Sequence, residues 1–266
     1  MKPLRGCPPD KWRVRLTLSY DGTDYHGWQR QTDQASVQGT IEAAVERLFG
    51  AKIPVLGASR TDAGVHAEAQ TAHFDCPVDP STLNLRYSLQ CLTPPTLVIK
   101  EAFSAPRDFH AIASAERKTY RYLVLNRIVP SALRFRYTHW LRFPLDVDFL
   151  NEASGFLLGK KDFKSFQTTG TTVKSSVREI FSAGWSRLEN ETLEFRITGD
   201  GFLKQMVRNV VGTLIDLNRA GEPPGRVAEI IAACDRRRAG ATAPAQGLYL
   251  HRVFYPAELD NTCRQL

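Results

Sequence analysis

One order of hydrophobic periods occurs twice along this chain of 266 residues. An alternating stretch is followed by a stretch of helical period, two further strand-like stretches, a second helical one and a closing strand. Period two marks a strand with two unlike faces, and a period near 3.6 marks a helix with one apolar side. In residues 13–20, Val14, Leu16, Leu18 and Tyr20 share one face, while Arg13, Arg15, Thr17 and Ser19 form a polar outer face. Asp21-Gly22 ends that strand. Ser36 then stands as an N-cap, Val37, Ile41, Ala44, Val45, Leu48 and Phe49 recur at helical spacing, and Gly50 closes the helix. Strands are expected at 53–57 and 70–76, a short helix near 81–91 and a strand at 96–103.

The second half keeps the rhythm. Residues 119–126 read as a strand and 146–158 as a helix. Residues 176–187 and 192–199 are expected as strands. A helix over about 202–217 rests on Met206, Val207, Val210, Val211, Leu214 and Leu217. Residues 247–255 close the pattern. A β-α-β-β-α-β order in each half predicts an α+β fold of two ferredoxin-like (RRM-like) units, with antiparallel sheets and a cleft between them. The expected division is 1–108 and 109–266, with the first half carrying the loop discussed next.

That loop is 58–66, Ala-Ser-Arg-Thr-Asp-Ala-Gly-Val-His. Small residues surround two ions, Arg60 and Asp62, and Gly64 permits a tight turn or a close ligand. A carboxylate near an arginine can be held ionised, and an ionised, positioned Asp can serve as nucleophile or general base. Spacing alone favours a polar hairpin with a structural salt bridge. His66-x-Glu68 matches the first part of a base-deaminase zinc motif, but no Pro-Cys-x-x-Cys follows Cys76. Gly199-Asp200-Gly201 reads as a turn. The loop at 20–30 mixes aromatic, amide and basic side chains, which suits either looped RNA or a buried aromatic cluster. Tyr120 and Tyr122 share a strand face, where core packing is the default. Lys204 and Arg208 are placed one helical turn apart, off the apolar stripe. Arg236-Arg237-Arg238 reads as a solvated helix end or loop rather than a phosphate contact.

Charge bears on the partner. Lys and Arg number 35 against 28 Asp and Glu, a net +7 that suggests a polyanion, with nucleic acid ahead of membrane. A basic enzyme with no polyanionic partner fits that charge equally well. No apolar run approaches a membrane span, and the polar stretch from Met1 to Arg15 has no apolar signal core. The five cysteines are scattered and never form a CxxC pair, which points to reduced thiols in a cytoplasmic protein and to no zinc cage.

Six segments in order, YDGTDYHGWQRQ, SVQGTIEAAV, ASRTDAGVHA with QTAHF, FHA with KTYRY, GDGFLKQMVRNVVGTL and APAQGLYL, resemble the tRNA pseudouridine synthases of the TruA family. The likeness runs from about Val14 to Pro256. It implies conversion of uridine to pseudouridine in the anticodon stem-loop of tRNA, at nucleotides about 38 to 40, by a homodimer with no cofactor and no metal. It implies that Asp62 is catalytic, that Arg60 displaces and holds the flipped base, and that Tyr120 stacks on that base. It further implies that Arg208 pairs with the aspartate and that Leu248 packs against the site. The chain departs from the family pattern at Ile112, at Gln90 and Cys91, and at Lys161, which bears on details of tRNA contact.

Overall fold

The structure, a computed structural model, describes residues 6–171 and 173–266. The reading of the polar N-terminus therefore falls partly, at residues 1–5, outside the described residues. Two compact units are present: residues 1–116 together with 250–266, and residues 117–249. These units differ from the expected 1–108 and 109–266 in a boundary at 116 and in the place of 250–266.

In the first unit β1 (Trp12–Tyr20), α1 (Val37–Phe49), β2 (Leu56–Gly57), β3 (His66–Cys76), α2 (Leu85–Leu92) and β4 (Leu97–Ser104) follow the expected order. The strands lie β4-β1-β3-β2, all antiparallel, with Leu16 opposite Ala72 on one side and Ala102 on the other. The apolar face of β1 is fully buried at Val14, Leu16 and Leu18. Ile41 and Val45 of α1 and Leu85 and Leu89 of α2 are also fully buried. Each such side chain contributes about 1.5–3 kcal/mol by leaving water. Ser36 accepts from the Gly39 amide and Gly50 takes a left-handed φ of 69°, so both expected ends of α1 are present.

Three details differ from the sequence reading. The strand expected at 53–57 is reduced to Leu56–Gly57, because side chains of α1 take the backbone groups a strand partner would use. The Val55 amide donates to Glu42 Oε1 at 3.0 Å, and Gln38 Nε2 donates to the Val55 carbonyl at 2.9 Å. The strand expected from residue 70 begins at His66. The polar face of β1 is covered rather than solvated. Arg13 is buried against Asp75 at 2.6 Å, and Arg15 pairs with Asp260 and lies 4.8 Å over the Tyr255 ring.

In the second unit β5 (Arg117–Asn126), α3 (Val147–Gly155), β8 (Val177–Leu188), β9 (Thr192–Gly199) and α4 (Met206–Ala220) keep the order. The sheet runs β5-β9-β8-β7, antiparallel, where β7 (Gly159–Asp162) is an added edge strand, and β6 (His139–Leu141) adds to β5 in parallel. These short strands and α5 (Arg226–Ala233) have too few periodic residues to show in the sequence. The helix expected from residue 202 starts four residues later. Gln205 has a φ of 59°, a left-handed conformation that interrupts helical backbone. Lys204 therefore lies before α4 and is not one turn from Arg208 on it. Gly199-Asp200-Gly201 is a turn, clipped to β8 by bonds between Asp200 and the Glu179 backbone. β10 (Leu248–Phe254) starts in the second unit and runs from Leu250 into the first, beside β3. The segment ends in α6 (Ala257–Thr262) and β11 (Arg264–Gln265), which pairs with β4. No helix among the described residues is long and apolar enough to cross a membrane.

Candidate active site

Loop 58–65 joins β2 to β3 in the first unit, and its backbone is held at almost every residue. Gln70, fully buried on β3, donates from Nε2 to the Ser59 carbonyl at 2.6 Å and accepts from the Ser59 amide at 3.1 Å. The Thr61 carbonyl accepts from the Trp28 amide at 3.0 Å, and the Gly64 amide donates to the Tyr25 carbonyl at 3.2 Å. The Thr61 and Tyr20 hydroxyls are 2.9 Å apart. The Val65 amide closes a turn onto the Asp62 carbonyl at 3.2 Å.

Loop 20–28 is the brace, and glycine makes the close approach possible. A Cβ on Gly22 would stand 2.0 Å from the Val65 carbonyl oxygen, and one on Gly27 would stand 2.5 Å from that of Thr61. Gly27 also has a φ of +89°, which side-chain-bearing residues rarely adopt. Tyr20, Tyr25 and Trp28 are all buried, with Trp28 against Gly57. The aromatic loop is therefore core that supports the Asp62 loop, and not a surface on which bases stack. His66 Nδ1 accepts from the Gly22 amide at 3.0 Å, so that nitrogen carries no proton for the Asp21 carboxylate 3.2 Å away. Glu68 is paired with His251 at 2.5 Å. The His66-x-Glu68 pair is thus used in bracing and pairing, and among the described residues no group of three metal-ligating side chains occurs.

Arg60 and Ala63 are exposed and Asp62 is half-buried, while Ser59, Thr61, Val65 and His66 are buried. A carboxylate on fixed backbone costs little reorganisation when it reacts.

Tyr120, Arg208 and Leu248 belong to the second unit. Tyr120 on β5 is nearly buried, with the Phe202 ring edge-on at 5.1 Å between centroids. Tyr122, two residues on, is buried and donates to the Pro244 carbonyl at 2.8 Å. Arg208 lies in the first turn of α4, and its Nε donates to the Ala243 carbonyl at 2.8 Å. Leu248 opens β10 and is buried, directly after Gly247, which packs against the Tyr122 ring. Arg60 and Asp62 thus share one loop, and Arg208 is tied to the turn that leads into Leu248.

Several residues of these surroundings were not singled out in the sequence. Phe202 and Gln70 carried no signal of their own. Lys118 did, because it shares a strand face with Tyr120. Burial pulls its amine down to about 8, and the Arg178 guanidinium adds repulsion. Of the three clustered arginines, Arg236 turns inward to Asn209 and Thr242, and Arg237 pairs with Asp235 at 2.7 Å. Two family departures have local roles: Gln90 accepts from the Ile99 amide at 2.8 Å, and Lys161 Nζ donates to the Phe156 carbonyl at 2.5 Å. Ile112 and Cys91 are exposed.

The family model described as tRNA pseudouridine synthase matches residues 17–112 and 153–256. A tRNA pseudouridine synthase A of Bdellovibrio bacteriovorus is 51% identical over 259 residues, covering 96% of this chain and 99% of that protein. The one from Acetivibrio thermocellus is 43% identical over 242 residues, covering 91% and 99%. That from Myxococcus xanthus is 43% identical over 244 residues, covering 91% and 92%.

Proposed function

The chain belongs to the tRNA pseudouridine synthase family, and from that premise we propose that it acts on the anticodon stem-loop of tRNA, at nucleotides about 38, 39 and 40, with Asp62 as catalytic residue. As a member it is an isomerase that modifies tRNA. The observation that carries the proposed role of Asp62 is its setting: a half-buried carboxylate on a loop whose neighbouring backbone is bonded on both sides.

The reaction breaks the N1–C1′ bond of the target uridine and joins C1′ to C5 of the same uracil. C5 loses its proton and N1 gains one, so no redox partner or external group is consumed. The nucleotide must first leave its stack, at a cost of a few kcal/mol. In this reading Arg60, exposed beside Asp62, holds the displaced base, and the Tyr120 ring offsets the lost stacking. Asp62 attacks the sugar or the base, or takes the C2′ proton. Arg208 is assigned to the Asp62 carboxylate and Leu248 to the apolar wall of the site. The enzyme works in the cytoplasm as a homodimer without a cofactor.

Tritium release from [5-³H]uridine-labelled tRNA tests the role of Asp62. The wild type releases tritium and Asp62→Ala does not; release by Asp62→Ala at the wild-type rate sinks the assignment. Mapping of pseudouridine in tRNA from cells with and without the protein checks the nucleotides, and loss at 38–40 is the expected result. The net charge of +7 adds that tRNA affinity falls as salt rises, through release of counterions; an affinity flat across salt would contradict it.

A further inference from the structure

The turn 239–244 lies along α4 and touches it closely. The Gly240 amide donates to Thr213 Oγ1 at 2.9 Å and the Ala241 amide to Asp216 Oδ2 at 2.8 Å. A Cβ on Gly212 would stand 1.8 Å from the Ala241 carbonyl oxygen, so helix and turn meet backbone to backbone. At the end of this contact Ala243 grips Arg208 twice. Its amide donates to the Arg208 carbonyl at 3.1 Å, and its carbonyl accepts from Arg208 Nε at 2.8 Å. The Nε side of the guanidinium is thereby tied to the Ala243 carbonyl.

A buried polar group sets the residue just before Ala243. Arg236 Nη2 donates to Asn209 Oδ1 and to Thr242 Oγ1, both at 3.2 Å, and Nη1 donates to the Ala239 carbonyl at 3.2 Å. The Thr242 hydroxyl passes its own proton to Asn209 Oδ1 at 2.6 Å. Asn209, fully buried and next to Arg208 in the helix, donates to the Phe166 carbonyl at 2.8 Å. The Thr242 hydroxyl serves as both donor and acceptor. Arg236, on the face of it one of three solvated arginines, is thus turned inward at the end of a network that stops one residue short of Ala243.

We propose that Arg236, Asn209 and Thr242 are positioning residues for Arg208: together they fix the turn whose Ala243 carbonyl orients the guanidinium. This rests on the role assigned to Arg208 above. Thr242 is the point at which the network can be cut with least change in shape. Valine there keeps the volume but leaves Asn209 Oδ1 and Arg236 Nη2 each short of a partner, while serine keeps the hydroxyl.

The test uses the full-length protein labelled with ¹⁵N-arginine. The Arg208 Nε–H resonance is assigned by its loss in Arg208→Lys, and kcat and KM for tRNA are measured on the same samples. In Thr242→Val the Nε–H exchanges with solvent about tenfold faster and kcat falls about tenfold at unchanged KM, as expected for a displaced catalytic group. Thr242→Ser restores both. Unchanged Nε–H exchange in Thr242→Val overturns the proposal, as does a loss of kcat that serine does not restore. An Arg208→Lys enzyme that turns over at the wild-type rate overturns the role of Arg208 and this inference with it, whereas an impaired Arg208→Lys beside an unaffected Thr242→Val overturns this inference alone.

Discussion

The two units hold their candidate site residues by different means. In the first, the Asp62 loop is locked mainly by backbone: peptide groups of 58–65 bond to those of 25, 28 and 71, two glycines let a second loop lie against it, and the Gln70 side chain adds two bonds at Ser59. In the second, Arg208 is oriented through side chains, with Asn209, Thr242 and Arg236 steering one carbonyl. A backbone lock tolerates most side-chain changes and fails at glycine. A side-chain lock fails wherever one hydrogen-bonding group is removed. The first unit should therefore be brittle at a few positions, and the second graded over many.

Substitutions can break or sharpen that contrast. The largest effect is expected at Asp62→Asn, which removes the proposed catalytic anion and keeps the backbone bonds of the loop. Tritium release should fall by about 10³-fold or more with an unchanged melting temperature; a parallel loss of stability would mean that the carboxylate is part of the lock.

Lys118 tests the second unit through pH. Its folded pKa of about 8 lies below the ordinary lysine value of 10.5, so between those values the unfolded chain binds more protons than the folded one. Stability contributed by this residue therefore rises as pH increases from about 8 to 10.5, by about 3 kcal/mol in all. Below pH 8 the folded state bears the full cost of the buried charge. Lys118→Met should remove this rise, visible as the difference between the two proteins in denaturant titrations across pH 7–10.5. Parallel curves would show that the amine is not held against its charge.

Gly27→Ala comes next. It puts a methyl against the Thr61 carbonyl and asks alanine for a left-handed φ. A loss of about 2–3 kcal/mol is expected, with lower kcat, in a chemical-denaturation and turnover series. An alanine tolerated there at full stability would refute the backbone lock. The smallest effect is Tyr122→Phe, which removes the bond to the Pro244 carbonyl for about 1 kcal/mol.

The contrast also explains what could be read in advance. The Asp62 loop stood out because a backbone lock imposes residue types on a short contiguous stretch: small residues at 58, 59, 63 and 64, and glycines at 22 and 27. Its own spacing suits a structural hairpin, and the ordered motifs along the chain are what make it a candidate catalytic loop. The strand and helix order was legible for the same local reason, since period and caps are written in adjacent residues, as at Ser36 and Gly50. Errors fell where distant side chains intervened. Glu42 and Gln38 take the backbone of Val55, and Thr168 donates to Lys204 and Gln205 at the left-handed turn before α4.

Sequence by itself determined the family, the two α+β repeats and the candidate residues, because these depend on local periodicity and on ordered motifs. Tertiary structure alone decided which aromatic residues of loop 20–28 are core, that Arg13 and Arg15 are covered, and that Arg236 faces Asn209 and Thr242 rather than water. Those outcomes depend on which groups meet across 27 residues in one case and 245 in another. Whether a buried polar group finds its partner is settled only when the chain has closed around it.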